Sequence, residues 1–217
     1  MTQRIAVYNR ATTPLGLDLE AFVAALNEYV ALWLAPAWNV SAELHVTDRP
    51  MPGEWGIVFL DRADVAGALA YHDDEGGPVA KVFVETIQQY GSSLTVATSH
   101  ELAEMLVDPL ASFWAAAQGV QRLVALEVCD PVQSDSLGLE VAGFLMSDFV
   151  YPAWFDPAAS GVPFDHQNAV SAPFQVHAKG YVIQLANGAE SEQFANRVLP
   201  NPFDSHAARR HLAMEGA

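Results

Sequence analysis

Cysteine is nearly absent from this sequence: Cys129 is the only one in 217 residues. No disulfide can form within the chain, which excludes a small oxidised scaffold held by bridges. Basic residues are scarce as well. Lys and Arg total 10 against 26 Asp and Glu, a formal charge of −16. Such a surface repels phosphate backbones and anionic membranes, so nucleic acid and membrane are not expected partners. It suits a cation or a basic partner. No apolar run approaches the ~20 residues of a membrane span. Residues 1–8 lack the long apolar core of a signal peptide. The expectation is a protein made in a cytoplasm and soluble there, with packaging into a virion also compatible. Internal repeats, low-complexity tracts and long linkers are missing too.

What is present is enough apolar material for a real core. Hydrophobic residues make up 51% of the chain, which suits one domain with a smaller lobe and argues against wholesale disorder. Residues 4–9 read as a strand. Asp18 caps a helix whose apolar positions Phe22, Leu26, Tyr29, Val30, Trp33 and Leu34 recur at helical spacing until Pro36. Residues 38–47 alternate as a strand, with Val40, Ala42, Leu44 and Val46 on one face. The apolar run 55–60 reads as a central strand. Residues 67–72 and 80–85 read as two more strands, joined across the turn 73–78.

After the break at 91–93 comes the stretch around which the chain is organised: Thr98-Ser99-His100-Glu101-Leu102-Ala103-Glu104-Met105-Leu106-Val107-Asp108-Pro109. Residues four apart share one helical face, so His100 and Glu104 reach toward a common point. Asp108 follows the same stripe, drifting about 80° from His100 at ~100° per residue. Glu101 sits to one side. Side chains that hold a cation beside a free carboxylate are what a hydrolytic metal site requires. Either Ser92 or Thr98 caps this helix. A plainer reading makes Thr98-x-x-Glu101 a capping box and the acids a solvated face. Against it, the stripe is flanked by Leu102, Met105 and Leu106, and burying it without counter-charge is expensive. No Lys or Arg lies between Lys81 and Arg122. A second acidic cluster, Glu127-Val128-Cys129-Asp130-Pro131, could complete the site. His72, at a strand end, reads as a loop-edge residue, and Cys129 as a small buried one.

Beyond residue 122 the pattern is β-rich. Residues 123–128, 139–150, 171–174 and 180–185 read as strands, 151–157 as an aromatic loop, and 206–214 as a short terminal helix. The fold class expected is α+β: a core of mixed sheet plus motif helix over 1–120, followed by a smaller β-rich lobe over 121–217.

The string His-Glu-x-x-Glu resembles the zincin metallopeptidases, whose motif is His-Glu-x-x-His. The fuller pattern, Ser-His-Glu-Leu-x-Glu, then Asp-Pro, then Glu-Val-Cys-Asp-Pro, is similar to zincin-like proteins of tailed-phage and bacterial genomes. It is more distantly similar to the plant phosphate-induced (exordium-like) family. The resemblance covers residues 68–156. It implies a zincin-like core, with His100 and Glu104 as metal ligands and Glu101 as general base. Asp108, ranked ahead of Asp130, would be the third ligand, and Glu127 would support His100. The metal implied is divalent, zinc first. Glu104 in place of the second His makes the site harder, so calcium or manganese competes. The activity implied is a peptidase acting on a peptide or protein substrate. The missing His and the phage-like pattern also suit a virion or assembly protein whose partners are neighbouring subunits or copies of itself.

Overall fold

The computed structural model describes residues 2–65, 67–117 and 121–196, with the backbone of 198–200 and 209–212. The fold is α+β: a mixed sheet carrying helices, plus an antiparallel β-rich region. The first sheet uses β1 (Gln3–Asn9), β2 (Ala42–Val46), β3 (Trp55–Leu60), β4 (Ala68–Asp74), β5 (Pro78–Phe83) and β13 (Arg209–Leu212). Their order is β13-β4-β5-β3-β1-β2. β2, β1, β3 and β5 run parallel, while β4 runs antiparallel to β5 and β13 antiparallel to β4. β3 is flanked on both sides, which accounts for its unbroken apolar run.

Helix α1 (Leu19–Tyr29) is capped by Asp18, whose side chain accepts from the Ala21 amide at 3.2 Å. It continues through a π-helical turn at Val30–Leu34 into α2 (Ala35–Trp38), ending at Asn39 in the left-handed region. Pro36 was expected to stop the helix. Its missing N–H is instead absorbed beside the π turn, where the regular ladder is already interrupted. The continuous helix Leu19–Trp38 is long and apolar enough to cross a membrane. This corrects the reading that no such stretch exists. Asn27 and Glu28 interrupt the apolar run in sequence, but the average over the whole helix stays apolar. Phe22, Leu26, Tyr29 and Leu34 are buried in the main core. Asn27 also binds the backbone of Leu44 in β2 through both ends of its amide, at 2.9 and 2.8 Å.

Helix α3 (Val84–Tyr90) begins directly at the end of β5, two residues before the expected strand 80–85 would end. Gly91 closes it in the left-handed region at φ 67°. Helix α4 (Leu94–Val107) carries the motif and lies over β4 and β5. Its cap is Ser93, not Ser92 or Thr98; the Ser93 hydroxyl accepts from the Val96 amide at 3.3 Å. Thr98 lies a turn inside the helix and donates to the Leu94 carbonyl at 2.7 Å.

The β-rich region holds a second sheet of β6 (Trp114–Ala116), β7 (Arg122–Ala125), β10 (Tyr181–Ala186), β11 (Ala189–Phe194) and β12 (Val198–Pro200), in the order β12-β11-β10-β7-β6. Several expectations are corrected here. Residues 139–150 form a hairpin, β8 (Leu139–Val141) and β9 (Phe144–Met146), because Ala142 and Gly143 both take positive φ and turn the chain. Residues 171–174 form a turn, with Phe174 at φ 55°. The terminal helix expected over 206–214 is a strand at Arg209–Leu212, where pairing to β4 overrides local helical spacing. Its remaining residues, 206–208 and 213–214, lie outside the described set. β11 was overlooked, although Asn187-Gly188 with positive φ at both residues is the hairpin signal that marks it.

One hydrophobic cluster runs from Ile5 through Leu102 and Met105 to Phe149, Trp154 and Val182. At its margin Asp148 and Asp165 are buried together. Asp165 accepts from the Ala169 and Val170 amides at 2.7 and 2.9 Å, and Asp148 from the Phe149 amide at 2.8 Å. Burial, then the charge of Asp165, pushes the Asp148 carboxyl up to about 8 from an ordinary 3.8. A carboxyl raised on folding binds its proton more tightly in the native state. Its contribution to stability is therefore complete below about pH 4 and is lost as pH rises through about 8. Asp148→Asn keeps the shape and removes the proton. The variant should gain up to a few kcal/mol, about 2, relative to wild type on moving from pH 5 to pH 8. Urea midpoints at the two pH values measure this; parallel pH slopes for the two proteins would refute it.

Candidate metal centre

Helix α4 is buried on nearly every side. Val96, Ala97, Leu102, Ala103 and Met105 join the core, and so do the polar Thr98, Ser99, His100, Glu101 and Glu104. Ser99 shows how such a helix is held: its hydroxyl donates to the Thr95 carbonyl at 2.8 Å and accepts from the Ser147 amide at 2.8 Å. The plainer reading of a solvated acidic face therefore fails, since His100 and Glu101 are 0% exposed and Glu104 is 1% exposed.

His100 Nε2 lies 3.2 Å from Glu104 Oε2 and 3.2 Å from Asp130 Oδ1. One ring nitrogen carries one proton and satisfies one acceptor at a time. Two buried carboxylates converging on it leave an excess of negative charge at a point. Ligand atoms of these three residues all lie within 4.8 Å of one another. A tetrahedral cation with ~2.0–2.2 Å bonds sets its donors about 3.3 Å apart, so the observed spacing suits one. The other oxygen of Glu104 is already fixed. It accepts from the amides of Cys129 and Asp130 at 3.1 and 3.3 Å, which aims Oε2 at His100. Neither Asp130 oxygen accepts a hydrogen bond from a backbone or hydroxyl donor among the described residues. Burial and the charge of Glu104 push its carboxyl well up, against the pull of His100. Burial pulls the His100 imidazole down, but Glu104 and Asp130 outweigh it and raise it well above the ordinary value.

A second set adjoins the first. His72, Glu101 and Glu104 also offer ligand atoms within 4.8 Å of one another. His72 comes from β4, where Ala68, Ala70 and His72 share a face. It contacts Glu101 Oε2 through Nδ1 at 3.1 Å and the Asp108 carbonyl through Nε2 at 3.1 Å. Burial lowers it, but the Glu101 hydrogen bond and the charge of Glu127 outweigh this and push it up to about 9. Both ring nitrogens of His72 are thus engaged, one by the Glu101 carboxylate and the other by the Asp108 carbonyl. In the set built on His100, by contrast, two carboxylates face a single ring nitrogen, which makes it the stronger candidate for a cation.

Of the residues singled out in the sequence, His100, Glu104 and Asp130 come together. Glu101 stands beside them, held by His72. Asp108 does not join them, contrary to its ranking ahead of Asp130. Its carboxylate accepts from the Ser112 and Phe113 amides at 3.0 and 2.8 Å and ties down the turn after α4. Glu127 was paired in expectation with His100; its Oε2 lies 3.9 Å from His72 Nε2. His72, expected at a loop edge, instead lies fully buried within β4. The available signal was its place in period two with Ala68 and Ala70, which pointed it inward. The Cys129 thiol is pushed well up, chiefly by burial, which fits an inert core residue.

The loop carrying Asp130 is held from behind. Asp130–Val132 forms a turn of 3-10 helix, and the His177 amide donates to the Pro131 carbonyl at 2.8 Å. Gly180 backs directly onto it: a Cβ there would run into the Pro131 carbonyl and come within 2.8 Å of the Asp130 carbonyl oxygen. Gly180→Ala should cost about 1–3 kcal/mol by overpacking, measured by chemical denaturation. A variant as stable as wild type would show that this approach is not tight.

No family model matches the chain, and no curated protein or solved structure matches it.

Proposed function

We propose that the protein is a metal-dependent hydrolase of zincin-like build, acting on a peptide or protein substrate. The observation that carries the reading is the convergence of Glu104 and Asp130 on His100 Nε2. Those three residues would hold a divalent cation, zinc before calcium or manganese. When bound, such a cation polarises a carbonyl and lowers the pKa of a water. Glu101 is the proton acceptor. Burial raises its carboxyl above the ordinary value, with His72 opposing, which brings a general base closer to neutral pH. His72 fixes the direction of that carboxylate and ties it to the end of α4 through the Asp108 carbonyl. The mixed sheet with its antiparallel β4 beside α4 supports the zincin-like part of the reading.

A second reading has an observation of its own. A catalytic metal needs an open coordination position, while His100, Glu104 and Asp130 are each no more than 1% exposed. That degree of closure favours a structural metal in a virion or assembly protein.

Elemental analysis of protein purified without added metal tests the shared premise. About one equivalent of metal per chain is expected, and His100→Ala and Asp130→Asn should each lose most of it. A metal-free wild type that takes up no zinc, manganese or calcium would end both readings. Glu101→Gln separates them. Metal content should hold, and turnover of an unstructured protein such as casein should fall by at least 100-fold. A metal-loaded wild type without turnover leaves the structural reading.

A further inference from the structure

The last described strand lies where an incoming peptide would be expected to pair. β4 is the outermost strand of the sheet built by residues 3–83, and it carries His72 into the buried cluster. Its outer edge presents backbone donors and acceptors that require a partner. That partner is β13, antiparallel, with Arg209 opposite His72, Arg210 opposite Tyr71 and His211 opposite Ala70. The register then slips between His211 and Leu212. β13 also touches α4, the helix that supplies His100, Glu101 and Glu104. One short strand of four residues thus borders both elements of the site and meets β4 directly opposite His72.

We propose that residues 209–212 form a removable strap that closes the way into the imidazole–carboxylate cluster, and that an extended peptide gains the β4 edge by displacing it. The proposal rests on the metal-centre reading for its consequence but not for its test. A four-residue strand with a register slip is a shorter and less regular ladder than the five-residue pairing of β3 with β5. Strand exchange at such an edge forms as many backbone hydrogen bonds as it breaks. The complete burial of the cluster and a hydrolytic role are then compatible, because closure belongs to the strapped state alone.

Two full-length variants test it. Arg210→Pro removes a backbone donor from the middle of the strap. Tyr71→Cys with Arg210→Cys places two cysteines opposite each other, at a spacing a disulfide spans. Tyr71 packs on Phe83 and bonds Asp64, away from the cluster, so the crosslink does not intrude there. The readouts are hydrogen exchange at the β4 amides and at the C2 carbons of His72 and His100, neither of which needs a metal. Arg210→Pro should speed both by at least tenfold. The oxidised crosslink should slow both by at least tenfold relative to its reduced form. Unchanged exchange in either variant would overturn the strap. Cobalt(II) uptake, followed by its visible absorption, should track the same order. Failure of cobalt to bind any form counts against the metal centre, while the exchange rates still decide the strap.

Discussion

Four carboxylates and two imidazoles lie buried between α4, β4 and the loop 127–130, each no more than 2% exposed. Taking such charges out of water costs several kcal/mol apiece unless they are compensated. The compensation on hand organises the middle of the molecule. His72 bridges Glu101 and the end of α4. Backbone amides at 129 and 130 hold one oxygen of Glu104. Every described ion pair in the cluster joins an imidazole to a carboxylate. The excess of negative charge collects at His100, and there the three donors stand at a cation's spacing.

The rest of the fold serves that arrangement. Strands β5 and β4 form the floor on which α4 lies, with its polar residues turned into the interior. The β-rich region adds the third side. Its loop brings Asp130 to His100 because β10 packs so closely behind it that only a glycine fits at 180. Ser147, at the end of β9, binds the helix through Ser99. The β-rich region is therefore half of the site, and the site is a joint between the two parts of the chain.

Burial and the proposed hydrolytic role pull in opposite directions. A dry cluster strengthens every electrostatic interaction inside it, yet a hydrolase must admit water and substrate. The proposed strap would reconcile them, since β13 is short and lies at the edge next to the site. The same edge pairing explains why a segment with helical spacing ends as a strand.

Much of the site was legible in sequence. Four-residue spacing put His100 and Glu104 on one helical face, and the apolar flanks said that the face was buried, because helical geometry and the cost of burial are local facts. Strand β3 and the β4–β5 hairpin across the turn 73–78 follow from equally local chemistry. What sequence could not weigh was competition between distant groups. Asp108 and Asp130 both had the right chemistry. The backbone amides of Ser112 and Phe113 hold Asp108, while the packing of Gly180 against Pro131 positions Asp130. His72 likewise became a partner of Glu101 only when β4 was laid beside α4. Residue type and spacing determined which groups could act. Long-range packing decided which of them meet, because burial and hydrogen-bond satisfaction are settled between elements far apart in the chain.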